Sequence, residues 1–152
     1  MGLRNWTNMT TEEKFAMLGN FYEDKREYDK ALKCFGKAGN DSEILEKRGE
    51  YYYFGKGVEK NISYAKRYFK LAADAGNTEG MYNYACCEKD NEKRYEYCLK
   101  AASKGCAQAM NMIGLMILHG EIESDDRAED WFKKAAENGD EYGARNHAMI
   151  CR

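Results

Sequence analysis

Residues Gly49 to Gly80 read GEYYYFGKGVEKNISYAKRYFKLAADAGNTEG. Two helices with a glycine turn between them fit this run, with a second glycine as the stop. Gly55-Lys56-Gly57 makes the turn, because glycine reaches positive φ at low cost. Asn61 is a good N-cap for a helix over 62–75, and Ala65, Tyr68, Phe69 and Ala72 form its inward stripe. The end of the run recurs. Lys70-Leu71-Ala72-Ala73-Asp74-Ala75-Gly76 is echoed by Lys100-Ala101-Ala102-Ser103-Lys104-Gly105 and by Lys134-Ala135-Ala136-Glu137-Asn138-Gly139. The terminal glycines stand 29 and 34 residues apart, a period that predicts stacked helix pairs.

The same pattern of caps, apolar stripes and glycine stops covers the rest of the chain. Thr10 and Glu13 make a capping box for a first helix carrying Phe15, Leu18, Phe21 and Tyr22. Tyr28, Ala31, Leu32 and Phe35 stripe the second, which Gly39-Asn40-Asp41 ends. A helix from 42 to 54 leads into the glycine turn. Asn77 or Thr78 starts the next, which runs to about Glu88, then Lys89-Asp90-Asn91 turns the chain without a glycine pair. Tyr95, Cys98, Leu99 and Ala102 mark a helix to Lys104, and Ala107 to His119 another. Ser124 is read as the cap of a helix over 125–138, with Asp125 and Asp126 favourable in its first turn. Glu141 to Cys151 closes the chain as a terminal helix shielding the last apolar face. The expected organisation is an N-terminal arm over 1–9 and one repeat domain over 10–152. Its repeats fall at about 10–40, 41–76, 77–105 and 106–139, with the terminal helix at 140–151.

Gly19, Gly49 and Gly114 fall inside predicted helices, where each costs about 1 kcal/mol against alanine. Their common repeat position implies compensation. A partner helix pressing close enough to exclude a Cβ supplies it. In the third repeat the equivalent residue is Ala85.

These residues resemble Sel1-like repeats, relatives of tetratricopeptide repeats. The resemblance runs through Gly49, Tyr52, Gly55, Gly57, Val58, Ala65, Tyr68, Phe69, Ala72, Ala73 and Gly76, and less fully through Gly114, Gly120, Ala128, Trp131, Phe132, Ala135, Ala136 and Gly139. The third unit keeps the Lys-Ala-Ala ending but has Arg94 where the helical alanine falls. The resemblance implies an all-α, right-handed α/α solenoid, with a concave face lined by the first helix of each pair. It implies an adaptor or scaffold rather than a catalyst, and transfers no functional residue.

The first-helix face displaced from the glycine stripe follows a 3-4-3 spacing. In register it holds Glu13, Ala16, Asn20 and Glu23, then Glu43, Glu46, Glu50 and Tyr53. Glu79, Tyr82, Cys86 and Lys89 follow, then Gln108, Asn111, Leu115 and Leu118. The partner-binding candidates are Glu43, Glu46, Glu50, Tyr53, Glu79, Tyr82, Lys89, Gln108 and Asn111. Their acidic middle fits a basic protein or peptide with some apolar character. A solvated Glu-rich face is the plainer reading of the same residues.

Lys plus Arg is 24 and Asp plus Glu 26, so the chain lacks the cationic field of a general nucleic-acid or membrane-surface binder. No 18-residue apolar run suggests a spanning helix, and the polar start around Trp6 suggests no secretory signal. A cytoplasmic location is therefore expected, with Cys34, Cys86, Cys87, Cys98, Cys106 and Cys151 as reduced thiols. Neither a G-x-S-x-G, a phosphate loop nor an H-E-x-x-H occurs, so no catalytic residue, enzyme activity or cofactor is expected. His147 and Cys151, at i and i+4, could share a zinc ion. A site needs three or four ligands, so with no second His-Cys pair they are read as a coincidence and no metal is assigned. Two rivals stand beside the scaffold. One is a β-lactam-binding or hydrolysing enzyme like cysteine-rich Sel1-like proteins, although cysteine does not recur here at one repeat position. The other is a thiol or metal redox module.

Overall fold

The computed structural model describes residues 6–151. Apart from a 3₁₀ turn at Trp6–Asn8, its elements are α-helices: α1 Thr11–Asp24, α2 Tyr28–Phe35, α3 Ser42–Phe54, α4 Ile62–Asp74, α5 Thr78–Cys87, α6 Asn91–Ser103, α7 Ala107–Leu118, α8 Ala128–Glu137 and α9 Glu141–Ile150. No strand occurs among the described residues. The expected arm lies partly outside that range. The helices fall into two compact units, one ending at Ala75 with α1–α4, the other beginning at Gly76 with α5–α9.

In the first unit, α1 packs on α2 and α3 on α4. Thr10 caps α1 reciprocally: its Oγ1 accepts from Glu13 N at 3.1 Å, and its own N–H donates to Glu13 Oε2 at 2.8 Å. Asp41 caps α3 and Asn61 caps α4. An ideal Cβ on Gly19 would stand 2.5 Å from the Phe35 ring, and one on Gly49 2.5 Å from the Phe69 ring. The ring of the second helix thus lies against the bare backbone of the first. Dispersion gained over a buried phenyl face offsets the glycine's helix penalty. Phe35, Tyr51, Ala31, Ala38 and Ile44 form the core around the Gly19–Phe35 crossing. Tyr51 meets Phe35 and Tyr28 edge-on, at 5.8 and 5.9 Å between ring centres. Gly57 matters for a different reason. At φ 64° it brings its backbone so close to α2 that a Cβ would fall 2.4 Å from Asp29 N.

In the second unit, α5 packs on α6, α6 on α7, α7 on α8 and α8 on α9. Gly114 repeats the first unit's device, with Phe132 2.5 Å from its would-be Cβ. The α5–α6 pair does not. Ala85 and Cys98, both fully buried, stand at the glycine and phenylalanine positions. The edge-on rings of Tyr84 and Tyr97, 4.5 Å between centres, pack this pair.

Three expectations change. Helix α8 starts at Ala128, not 125. Ser124 Oγ accepts from Asp126 N in a local turn, and Asp126 Oδ2 accepts from the Trp131 indole, so these side chains organise a loop instead of capping a helix. Phe21, expected on the inward stripe of α1, is 48% exposed. On α6 it is Tyr97 that is buried, while Leu99 faces solvent.

Candidate functional site

The first helices position the candidate residues by a simple rule. Counted from the crossing residue, positions −3 and +4 share its side of the helix, while −6 and +1 point elsewhere. In α3 the −3 residue is Glu46 and the +4 residue is Tyr53. The structure buries Glu46, at 7% exposure, and half-buries Tyr53 with its ring 6.2 Å from Phe69. Neither projects into an open groove as the 3-4-3 register predicts, because both flank the Gly49 crossing. Glu43 and Glu50, at −6 and +1, do reach the surface. Glu43 is exposed, and half-buried Glu50 lies 3.9 Å from Lys56 Nζ.

The same division holds in α1. Glu23, at +4, is taken by internal partners. Lys47 Nζ donates to its Oε2 at 2.5 Å and the Tyr51 hydroxyl to its Oε1 at 3.1 Å. Burial and then the Glu23 carboxylate push the Tyr51 phenol well above its ordinary range. Asn20, at +1, is exposed.

Between α1 and α3 the first unit has an open groove of about 340 Å³. Glu13, Ala16 and Asn20 line it from α1, and Glu43, Ile44 and Lys47 from α3. Glu12, at the start of α1, and Asp41, before α3, complete an acidic rim. Its lysine, Lys47, is paired with Glu23. The floor is apolar where Ala16, Ala38 and Ile44 meet.

In the second unit the predicted residues do not converge in this way. Glu79, Lys89 and Gln108 are exposed. Tyr82 is half-buried among thiols, and its phenol is raised by burial first and then by the Cys86 group it hydrogen-bonds. Asn111 Oδ1 accepts from Asn146 Nδ2 of α9 at 2.8 Å, so the terminal helix occupies part of that face. Burial and the neighbouring Cys86 push the Cys98 thiol up to about 12, which keeps it protonated and unreactive at neutral pH.

One grouping has no full signature along the chain. Glu129, on α8, joins His147 and Cys151, placing a carboxylate oxygen, an imidazole nitrogen and a sulfur all within 4.8 Å of one another. Spacing along the chain shows the His-Cys pair but not a carboxylate on the neighbouring helix.

Successive helix pairs, closed by a glycine against a phenylalanine ring in α1–α2, α3–α4 and α7–α8 and by Ala85 and Cys98 in α5–α6, define a helical-hairpin repeat protein. The Sel1 repeat pattern matches residues 16–42, 46–77, 78–106 and 107–140, and the chain belongs to the Sel1 repeat family. The fold is similar to that of a Sel1 repeat protein from Oxalobacter formigenes, with a TM-score of 0.80 at 24% identity over 93% of this chain and 62% of that one. It is also similar to c5321, a protective antigen present in uropathogenic Escherichia coli strains and displaying an SLR fold. There the TM-score is 0.85 at 21% identity, over 91% of this chain and 33% of the other. MamA aligns with a TM-score of 0.63 at 19% identity, over 84% of this chain and 73% of its own. The chain thus spans less than two thirds of the first two proteins' length. No helix among the described residues is long and apolar enough to cross a membrane.

Proposed function

We propose that this chain is a non-catalytic interaction scaffold whose α1–α3 groove receives a Lys/Arg-rich peptide segment of a protein partner. The observation that carries the reading is the groove itself: an apolar floor under a rim of Glu12, Asp41 and Glu43. Repeats of this class generally serve as interaction scaffolds, which supports the reading at the level of family. The groove is narrower than the candidate face as a whole. It uses Glu43 together with α1 residues, and leaves out Glu46 and Tyr53. A near-balanced overall charge and the absence of a basic patch from the groove favour a protein ligand over nucleic acid. Opposite charge at the rim raises association rate and selectivity more than affinity.

The test is fluorescence titration with a Lys/Arg-rich peptide and an Asp/Glu-rich one of equal length. Asn20→Lys/Glu43→Lys alters two exposed positions of the groove without touching a cap. At about 0.5–1 kcal/mol for each altered charge, the pair weakens basic-peptide binding by about fivefold or more. It also flattens the salt dependence. Equal affinity of wild type and variant for the basic peptide would remove the groove from the account. Nitrocefin turnover by the reduced chain would favour an enzyme.

A further inference from the structure

The far end of the second unit carries a second kind of chemistry. His147 and Cys151 are one turn apart at the end of α9, on one face. Helix α8 runs alongside. Gly143 lets the two helices press together, since a Cβ there would stand 2.5 Å from Ala135 Cβ. From that crossing the end of α9 reaches the start of α8, where Glu129 sits in the first turn.

The two distances from the thiol are those of a coordination sphere, and the carboxylate and imidazole lie within 4.8 Å of each other. Cys151 Sγ is 3.4 Å from Glu129 Oε1 and 3.6 Å from His147 Nε2. A tetrahedral zinc bound at 2.0–2.3 Å to oxygen, nitrogen and sulfur holds its ligand atoms roughly 3.3–3.6 Å apart. The remaining Glu129 oxygen, Oε2, is engaged by the Arg127 guanidinium. This leaves Oε1 free to turn toward the thiol and the imidazole, as outer partners orient ligating carboxylates in metal sites. Glu129 and His147 are half-buried and Cys151 is exposed, so a solvent path reaches the cluster. Carboxylate and thiolate together would neutralise a divalent charge.

We propose that Glu129 Oε1, His147 Nε2 and the Cys151 thiolate form a zinc site, with water as fourth ligand, that ties the end of α9 to the start of α8. Binding would release the thiol proton to solvent. Mixed nitrogen, oxygen and sulfur donors suit zinc or cobalt rather than calcium or magnesium.

The reduced, metal-free chain is titrated with Co²⁺ and then Zn²⁺. The site predicts one equivalent of Co²⁺, a thiolate-to-cobalt charge-transfer band with tetrahedral d–d absorption, and loss of both on adding Zn²⁺. Cys151→Ser removes the charge-transfer band while far-ultraviolet helicity stays that of wild type. His147→Ala and Glu129→Gln each weaken Zn²⁺ binding by about tenfold or more, against a requirement for three protein ligands. Cys87→Ser changes nothing. Absence of the band at micromolar Co²⁺ would overturn the site, as would a band that survives Cys151→Ser. So would Glu129→Gln and His147→Ala variants that bind as tightly as wild type.

Discussion

The α3–α4 and α5–α6 pairs solve one packing problem in two ways. In α3–α4 the first helix gives up its side chain at Gly49, and the second fills the space with Phe69. In α5–α6 the first helix keeps a methyl at Ala85, and the second shrinks to Cys98. Volume is exchanged across the crossing, as close packing requires. The turns differ in the same spirit. The first pair turns on Gly55 and Gly57, both at positive φ. The second turns on a buried carboxylate. Glu88 Oε2 accepts from the Tyr84 hydroxyl at 2.7 Å, and Oε1 from the backbone of Lys89 and Asp90 at 2.8 and 3.2 Å. A repeat can therefore lose its signature glycines and keep its geometry, provided a partner changes with them.

The contrast breaks most visibly at the rings. Phe69→Ala should cost about 3–5 kcal/mol in urea unfolding, because a fully buried ring leaves a cavity against bare backbone. Gly57→Ala should cost about 2–4 kcal/mol, from the left-handed backbone and the clash with Asp29 together. In the other pair, Glu88→Ala should cost about 1–3 kcal/mol, since it strips a buried hydroxyl and two turn amides of one acceptor. Cys98→Ala should cost only about 1 kcal/mol, one small buried group. If Cys98→Ala proved as damaging as Phe69→Ala, the two pairs would not be using different amounts of volume.

Much of this was legible in the residues. Recurrent glycines and Lys-Ala-Ala endings carry the helix order, because caps and crossings are local chemistry with fixed spacing. Thr10 and Glu13 announce their capping box, and Gly49 its close contact. Ser124 misled because serine stabilises a loop turn as readily as a helix start. The candidate face was half legible. Glu43 and Asn20 stand where helical spacing puts them, but Glu46 and Tyr53 are drawn in by the neighbouring helix, whose distance no spacing reveals. Glu88 and Glu129 act across turns or between helices, so neither has a pattern along the chain to betray it.

The small residue of one helix and the large residue of the next form a single unit of packing. The double-mutant cycle Gly49→Ala, Phe69→Cys measures it directly, by rebuilding the Ala85–Cys98 solution inside α3–α4. The double variant should be more stable than the two single losses sum to, by about 1 kcal/mol or more. Losses that add within about 0.5 kcal/mol, as for independent sites, would mean that the two residues pack separately.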